Sequence, residues 1–94
     1  MTRCKLLQKG GKLTGFVMEG HTGSAPAGED VVCAALSSAA YLVANTLGGS
    51  SEVRDGYMAF HWDGDDTLLR GFAAHMEAIR DQYPEYVQID YTEE

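Results

Sequence analysis

The fold is decided by residues 30–47, which read DVVCAALSSAAYLVANTL. Apolar side chains recur there at the spacing of a helix that faces a core, at Val32, Leu36, Ala39, Val43 and Leu47. Gly48-Gly49 ends the pattern, because glycine readily adopts the left-handed backbone that closes a helix. Asp30 has an acceptor side chain suited to capping the free N–H groups at a helix start. We therefore predict an amphipathic helix that begins at Asp30.

Two hairpins are predicted on either side of this helix. The dipeptides Gly10-Gly11 and Asp55-Gly56 are typical of tight turns between antiparallel strands. The strands that they join are residues 3–8, 12–19, 51–54 and 57–63. The last of these alternates Met58, Phe60 and Trp62 with other side chains, which predicts a core face for those three. Residues 20–28, GHTGSAPAG, lack any periodicity and are predicted to form a loop.

A second helix and a final strand complete the chain. Leu68, Phe72, Met76 and Ile79 recur at helical spacing, Asp65 or Asp66 can cap this helix, and Pro84 prevents its continuation past Tyr83. Val87 and Ile89 alternate with polar residues over residues 86–91, as in a strand. The order ββαββαβ predicts an α+β fold, a mainly antiparallel five-stranded sheet packed by two helices, in a single domain over residues 1–94.

Composition and charge narrow the class of protein. The chain has 94 residues, a mass of 10.2 kDa and a formal net charge of -7. This charge argues against direct nucleic-acid binding through phosphates and favours a basic protein or peptide as partner. The two cysteines do not form the dense framework of small secreted domains. The start of the chain has no long apolar run, so we expect no signal peptide, no membrane span and a cytoplasmic location.

The side chains best suited to catalysis lie in residues 20–37, which read GHTGSAPAGEDVVCAALS. Cys33 is predicted in the first turn of the helix, where the positive end of the helix dipole favours a thiolate. His21, in the glycine-flanked loop, could accept the thiol proton and return it to a leaving amine. The pair is a candidate Cys-His protease site. The alternatives are that Cys33 simply packs in the core and that His21 is a solvated loop side chain.

This segment resembles the ribosomal-processing cysteine proteases of the Prp family. Their motif pairs Gly-His-x-Gly with Asp-φ-Val-Cys-Ala-Ala-φ-Ser, where φ is apolar, and the chain has GHTG at residues 20–23 and DVVCAALS at residues 30–37. The resemblance implies a homodimeric endopeptidase that removes the N-terminal extension of large-subunit ribosomal protein twenty-seven. It implies Cys33 as nucleophile, His21 as general base, and motion of the glycine-rich loop to admit the peptide. It also implies an apolar pocket beside Cys33 for aromatic residues of that extension.

Further site residues follow from the same motif, as substrate-binding or loop positions: Gly20, Gly23, Asp30, Ala34 and Ser37. Asp30 is open to two interpretations, a helix cap or a side chain that orients His21. The chain departs from many relatives at Thr22, where they have alanine, and at residues 24–26, where they carry an aromatic residue. We expect no cofactor and no metal, because the sequence lacks the spacings of a zinc site.

Two other functions are compatible with the sequence. The chain could be a noncatalytic, acidic, dimeric assembly factor that binds a basic ribosomal segment without cutting it. It could also be a thiol redox sensor, because a reactive Cys33 would also oxidise readily, although Cys4 offers no obvious resolving partner.

Overall fold

The computed structural model describes residues 1–20 and 27–94, with the backbone alone for residues 27–30. The elements are β1 (Thr2–Lys9), β2 (Lys12–Glu19), α1 (Ala27–Leu47), β3 (Ser50–Arg54), β4 (Tyr57–His61), α2 (Thr67–Gln82) and β5 (Val87–Glu93). This is the predicted order ββαββαβ. Over the described residues, neither helix combines the length and the hydropathy that crossing a bilayer demands.

The sheet is mixed. Its strand order is β3-β4-β2-β1-β5. The pairs β1–β2, β2–β4 and β3–β4 are antiparallel, as predicted, whereas β5 runs parallel to β1 and places Ile89 opposite Cys4. Helix α2 connects β4 to β5 and carries the chain across β2 and β1 to the far edge of the sheet, where β5 pairs with β1. The alternating pattern of β5 predicts a strand and says nothing about its direction, so the sequence did not reveal the parallel pair.

Both helices pack on one face of the sheet. In β1 the side chains of Thr2, Cys4 and Leu6 are buried, while those of Arg3 and Lys5 are exposed. The buried side chains of the strands join those of both helices in one core cluster. At its centre the ring of Phe16 lies 5.5 Å from the ring of Phe60 and 4.5 Å from that of Phe72. Tilted aromatic pairs of this kind each add about 0.5–1.5 kcal/mol beyond their buried area.

Helix α1 begins earlier than predicted. It starts at Ala27, so Asp30 lies within the first turn and is not the residue that precedes the helix. Cys33 consequently lies in the second turn rather than the first. The free N–H groups of a helix belong to its first four residues, and the dipole effect fades beyond the first turn. The proposed contribution of the helix start to a Cys33 thiolate is therefore smaller than the sequence predicts.

The inner face of α1 agrees with the prediction: Val32, Leu36 and Val43 are buried.

The start of α2 is held by two carboxylates with different roles. Asp65 accepts a hydrogen bond from the Thr67 N–H at 3.0 Å. Asp66 occupies the capping position, yet its carboxylate makes no capping bond. It accepts instead a hydrogen bond from the Leu13 N–H at 2.9 Å, and this bond ties the start of the helix to β2. The same carboxylate pairs with Arg70, one turn along α2, at 3.0 Å. These bonds hold the pKa of the Asp66 carboxyl below its usual range, and the hydrogen bond from the Leu13 N–H contributes most.

Strand β4 ends earlier than predicted, at His61. The half-buried Trp62 therefore lies just outside the strand.

Candidate active site

Cys33 lies where helix α1 meets the sheet, with only 2% of its surface exposed. Its Sγ is 2.7 Å from the Oγ1 of Thr2, and either atom can be the donor in this hydrogen bond. The thiol is free, since no disulfide involves it. The sulfur of the predicted nucleophile is therefore held by one hydroxyl group on the first strand.

Thr2 is a hydrogen-bond partner of Cys33 that the sequence analysis missed. It is the first residue of β1, is 2% exposed, and donates its N–H to the carbonyl oxygen of Tyr86 at 2.9 Å. The predicted strand began one residue later, at Arg3, and so left Thr2 outside the sheet. Alternation along β1 could have found it, because Thr2 precedes Cys4 by two residues and shares its inward face.

A cavity of about 220 Å³ opens beside this pair, between α1 and the β3–β4 end of the sheet. It is lined by Thr2, Met18, Glu19, Ser37, Ala40, Tyr41, Val53, Arg54, Asp55, Gly56, Tyr57 and Met58. Apolar and aromatic side chains predominate in its wall, and carboxylates of Glu19 and Asp55 border it. The Arg54 guanidinium lies 4.0 Å from the centroid of the Tyr57 ring and pairs with Glu52 at 3.3 Å. The cavity can take one large apolar side chain next to an acidic edge.

The predicted helix residues around Cys33 separate into two groups. Ser37 lies one helical turn after Cys33, is half-buried, and belongs to the wall of the cavity. Ala34 is exposed and does not belong to that wall. The structure thus brings Ser37 to the candidate site and leaves Ala34 at the surface.

Gly20 ends the hairpin next to the cavity in a conformation that suits glycine. Its φ is +102°, and its N–H donates to the Gly56 carbonyl oxygen at 3.2 Å. A Cβ atom at this position would collide with the Met1 carbonyl oxygen. The end of β2 is therefore tied to the β3–β4 turn, and a side chain at Gly20 would not fit against the start of β1. His21 and Gly23 follow it and lie outside the described residues, as does the side chain of Asp30.

The remaining candidates take no part in this site. Cys4 is fully buried on β1, and burial raises the pKa of its thiol to about 12. His61 and His75 are exposed on β4 and α2. Over residues 1–20 and 31–94, no group of three or more His, Cys, Asp or Glu side chains is placed to hold a metal ion.

This geometry defines a small α+β domain in which one cysteine sits beside a cavity of side-chain size, an arrangement suited to a thiol-dependent enzyme. The chain belongs to the cysteine protease Prp family, whose model matches residues 1–88.

Solved structures share the fold at low sequence identity. The protein SMU.848 from Streptococcus mutans superposes with a TM-score of 0.84 at 22% identity, covering 100% of this chain and 96% of that one. The essential ribosomal processing protease Prp from S. aureus, in complex with a substrate peptide, superposes with a TM-score of 0.87 at 19% identity. The same protease with a covalently linked product peptide gives 0.83 at 20% identity, and both comparisons cover 98% of this chain and 100% of the other. A search of curated protein sequences found no match.

Proposed function

We propose that this protein is a cysteine endopeptidase that removes the N-terminal extension of large-subunit ribosomal protein twenty-seven during ribosome assembly. The observation that carries the proposal is the position of Cys33, held by Thr2 beside an apolar cavity in a chain of the cysteine protease Prp family. The S. aureus protein that shares the fold is an essential ribosomal processing protease, which supports a ribosomal protein as the substrate. His21 is the general base in this proposal.

The chemistry requires His21 to take up and release a proton in each half of the reaction. His21 takes the Cys33 proton, and the thiolate attacks the substrate carbonyl carbon as the C=O π bond opens to an oxyanion. Collapse of this intermediate breaks the C–N bond, and the imidazolium gives its proton to the departing amine, leaving a thioester. Water then attacks the thioester carbonyl carbon while His21 takes a proton from it, and the C–S bond breaks to release the new acid. The imidazolium proton returns to the Cys33 thiolate, which restores the starting state.

Shape and charge support an extended basic substrate with an apolar anchor. The cavity of about 220 Å³ can hold an aromatic side chain of the extension between Tyr41, Val53 and Tyr57. The nearby carboxylates of Glu19 and Asp55, and the net charge of -7, favour encounter with a cationic ribosomal protein.

Intact-mass analysis tests the reaction directly. The wild-type protein, Cys33→Ala and Cys4→Ala are each mixed with the full-length ribosomal protein of the same host. We expect a single N-terminal cut by the wild type and by Cys4→Ala, and none by Cys33→Ala. Cys4→Ala is the matched control, since it removes the other buried thiol and leaves the cavity wall intact. A cut by Cys33→Ala would refute the mechanism.

The second candidate is a noncatalytic assembly factor that binds the same basic segment. The observation that favours it is the 2% exposure of Cys33, because a sulfur so well covered is also what an inert packing residue would show. It predicts a stable complex with an uncut substrate in the same assay.

The proposed assembly is a homodimer in the cytoplasm. Val31 and Leu42 on α1 are 70% and 64% exposed and provide apolar surface that a second copy could cover. Light scattering over a range of concentrations is expected to give the mass of a dimer. A monomer mass at every concentration would refute this part of the proposal.

A further inference from the structure

The hydroxyl group of Thr2 contacts the Cys33 sulfur, although the pairing of Thr2 in the sheet involves only its backbone. Thr2 is 2% exposed, and its Oγ1 lies 2.7 Å from the Cys33 Sγ. We propose that Thr2 is a positioning residue that orients the Cys33 sulfur toward the cavity and stabilises its thiolate. This inference rests on the proposed function, because it assigns Cys33 the role of nucleophile.

The backbone around Thr2 makes its hydroxyl a rigid anchor. The Thr2 N–H donates to the Tyr86 carbonyl oxygen at 2.9 Å, and Thr2 pairs with Val87 in the parallel β1–β5 ladder. A β-branched side chain has few accessible χ1 rotamers, so a Thr2 with a held backbone presents its oxygen in few directions. The side chain of Cys33 is unbranched at Cβ and rotates more freely about its Cα–Cβ bond, so we expect Thr2 to direct its sulfur.

One hydroxyl can serve both protonation states of the sulfur. A thiol can donate to Oγ1 or accept from it, whereas a thiolate can only accept. When Cys33 loses its proton, the Thr2 O–H must therefore point at Sγ, and it then donates to a charged acceptor. Hydrogen bonds to charged groups are stronger than neutral ones, more so away from water. The bond should thus strengthen as the nucleophile forms.

A purely structural bond between β1 and α1 would also connect these two residues. The two roles differ in what they do to the pH dependence of the sulfur. A structural tie changes the stability of the fold and leaves the reactivity of the thiol unchanged in folded molecules. A positioning residue changes the pH at which Cys33 becomes nucleophilic and lowers kcat more than it raises KM.

The test compares Thr2→Val with Thr2→Ser in the full chain. Valine keeps the branched shape and removes the hydroxyl, while serine keeps the hydroxyl and removes the methyl group. The rate of iodoacetamide alkylation is followed from pH 5 to 10, with peptide mass spectrometry reporting labelling of Cys33 and Cys4 separately. Substrate cleavage gives kcat and KM. The other charged and titratable groups of the cavity wall, Glu19, Arg54, Asp55, Tyr41 and Tyr57, are the same in every variant.

We expect Thr2→Val to move the alkylation profile of Cys33 to higher pH and to lower kcat by about 10-fold, with KM little changed. Thr2→Ser should keep both the profile and kcat close to those of the wild type. Thermal unfolding accompanies each measurement. If the valine variant does not fold, Thr2→Ala replaces it, and the same upward shift is expected.

Three results would overturn the proposal. The first is a wild-type pH profile and kcat in Thr2→Val. The second is a loss in Thr2→Ser as large as in Thr2→Val, which would assign the effect to the methyl group. The third is a lower kcat in Thr2→Val with an unchanged pH profile. If the wild type cuts nothing, the proposed function fails, and the alkylation profiles alone then decide whether Thr2 controls the sulfur.

Discussion

The two cysteines of this protein are buried to nearly the same extent and have different surroundings. Cys4 is 0% exposed and Cys33 is 2% exposed, and both thiols are free. Cys4 belongs to the apolar core cluster, and burial raises the pKa of its thiol to about 12. Cys33 has a hydroxyl partner, Thr2, and that partner lines a cavity. The exposed fraction therefore does not distinguish a packing cysteine from a candidate nucleophile, whereas a polar partner and adjacent space do.

The largest expected difference between the two cysteines is in catalysis. Cys33→Ala should lower the cleavage rate by at least about 1000-fold, because it removes the nucleophile. Cys4→Ala should leave the rate per folded molecule nearly unchanged. Initial rates at matched folded concentration measure both. Equal losses in the two variants would mean that the effect comes from the core and not from the reaction.

The role of His21 gives the next largest effect. His21→Ala should lower the cleavage rate by about 100-fold or more, because general acid–base catalysis typically contributes that much. His75→Ala is the control, since His75 is exposed on α2, away from the cavity wall. Turnover in His21→Ala equal to that of the control would remove His21 from the mechanism and leave Cys33 without its base.

A substitution at Gly20 measures how much the backbone conformation at the end of β2 contributes to stability. Gly20→Ala should lower the free energy of unfolding by about 1–3 kcal/mol, because φ is +102° and the new Cβ meets the Met1 carbonyl oxygen. Gly71→Ala is the matched control: Gly71 lies in α2 with open space around its Cβ position. There alanine should stabilise the protein by up to about 1 kcal/mol. Urea unfolding measures both variants, and equal effects would contradict this explanation.

The smallest effect concerns Cys4 and pH. Cys4→Ala leaves a small void and should cost about 1–2 kcal/mol at pH 7. Burial raises the pKa of this thiol from 9.0 to about 12, so the unfolded chain loses the proton at lower pH than the folded one. The stabilisation that Cys4 contributes is therefore complete below about pH 9 and is lost as the pH rises toward 12.

Unfolding free energies at pH 7 and between pH 9 and 11 test this sign. The gap between the wild type and Cys4→Ala should narrow as the pH rises. A constant gap would show that the Cys4 thiol ionises alike in both states. The same unfolding measurements on Cys33→Ala compare the two cysteines in how each affects stability as the pH changes.

Much of the fold could be predicted from local patterns. The turn dipeptides Gly10-Gly11 and Asp55-Gly56 lie between paired strands, and the apolar spacing of residues 30–47 gave the buried face of α1. These features depend on residues close in the chain, so a single sequence reveals them. The start of α1 at Ala27 and the alternative bonding of Asp66 were not foreseen, because several nearby residues could begin or cap either helix.

The sequence alone predicted only part of the candidate site. The resemblance selected Cys33 and Ser37, and the structure places Ser37 in the cavity wall near that cysteine. Thr2 escaped notice because no local pattern relates a strand residue to a helix residue 31 positions away. The aromatic part of the wall, Tyr41 and Tyr57, comes from two elements whose adjacency was unknown.

The sequence by itself determined the number, type and order of the helices and strands, and it indicated Cys33 as the candidate nucleophile. These predictions follow from short-range periodicity, residue type and a local motif. Only the tertiary structure decided the parallel β1–β5 pair, the contact between Thr2 and Cys33, and the cavity beside them. Those features require distant segments to meet, and the packing of the whole core determines which segments do so.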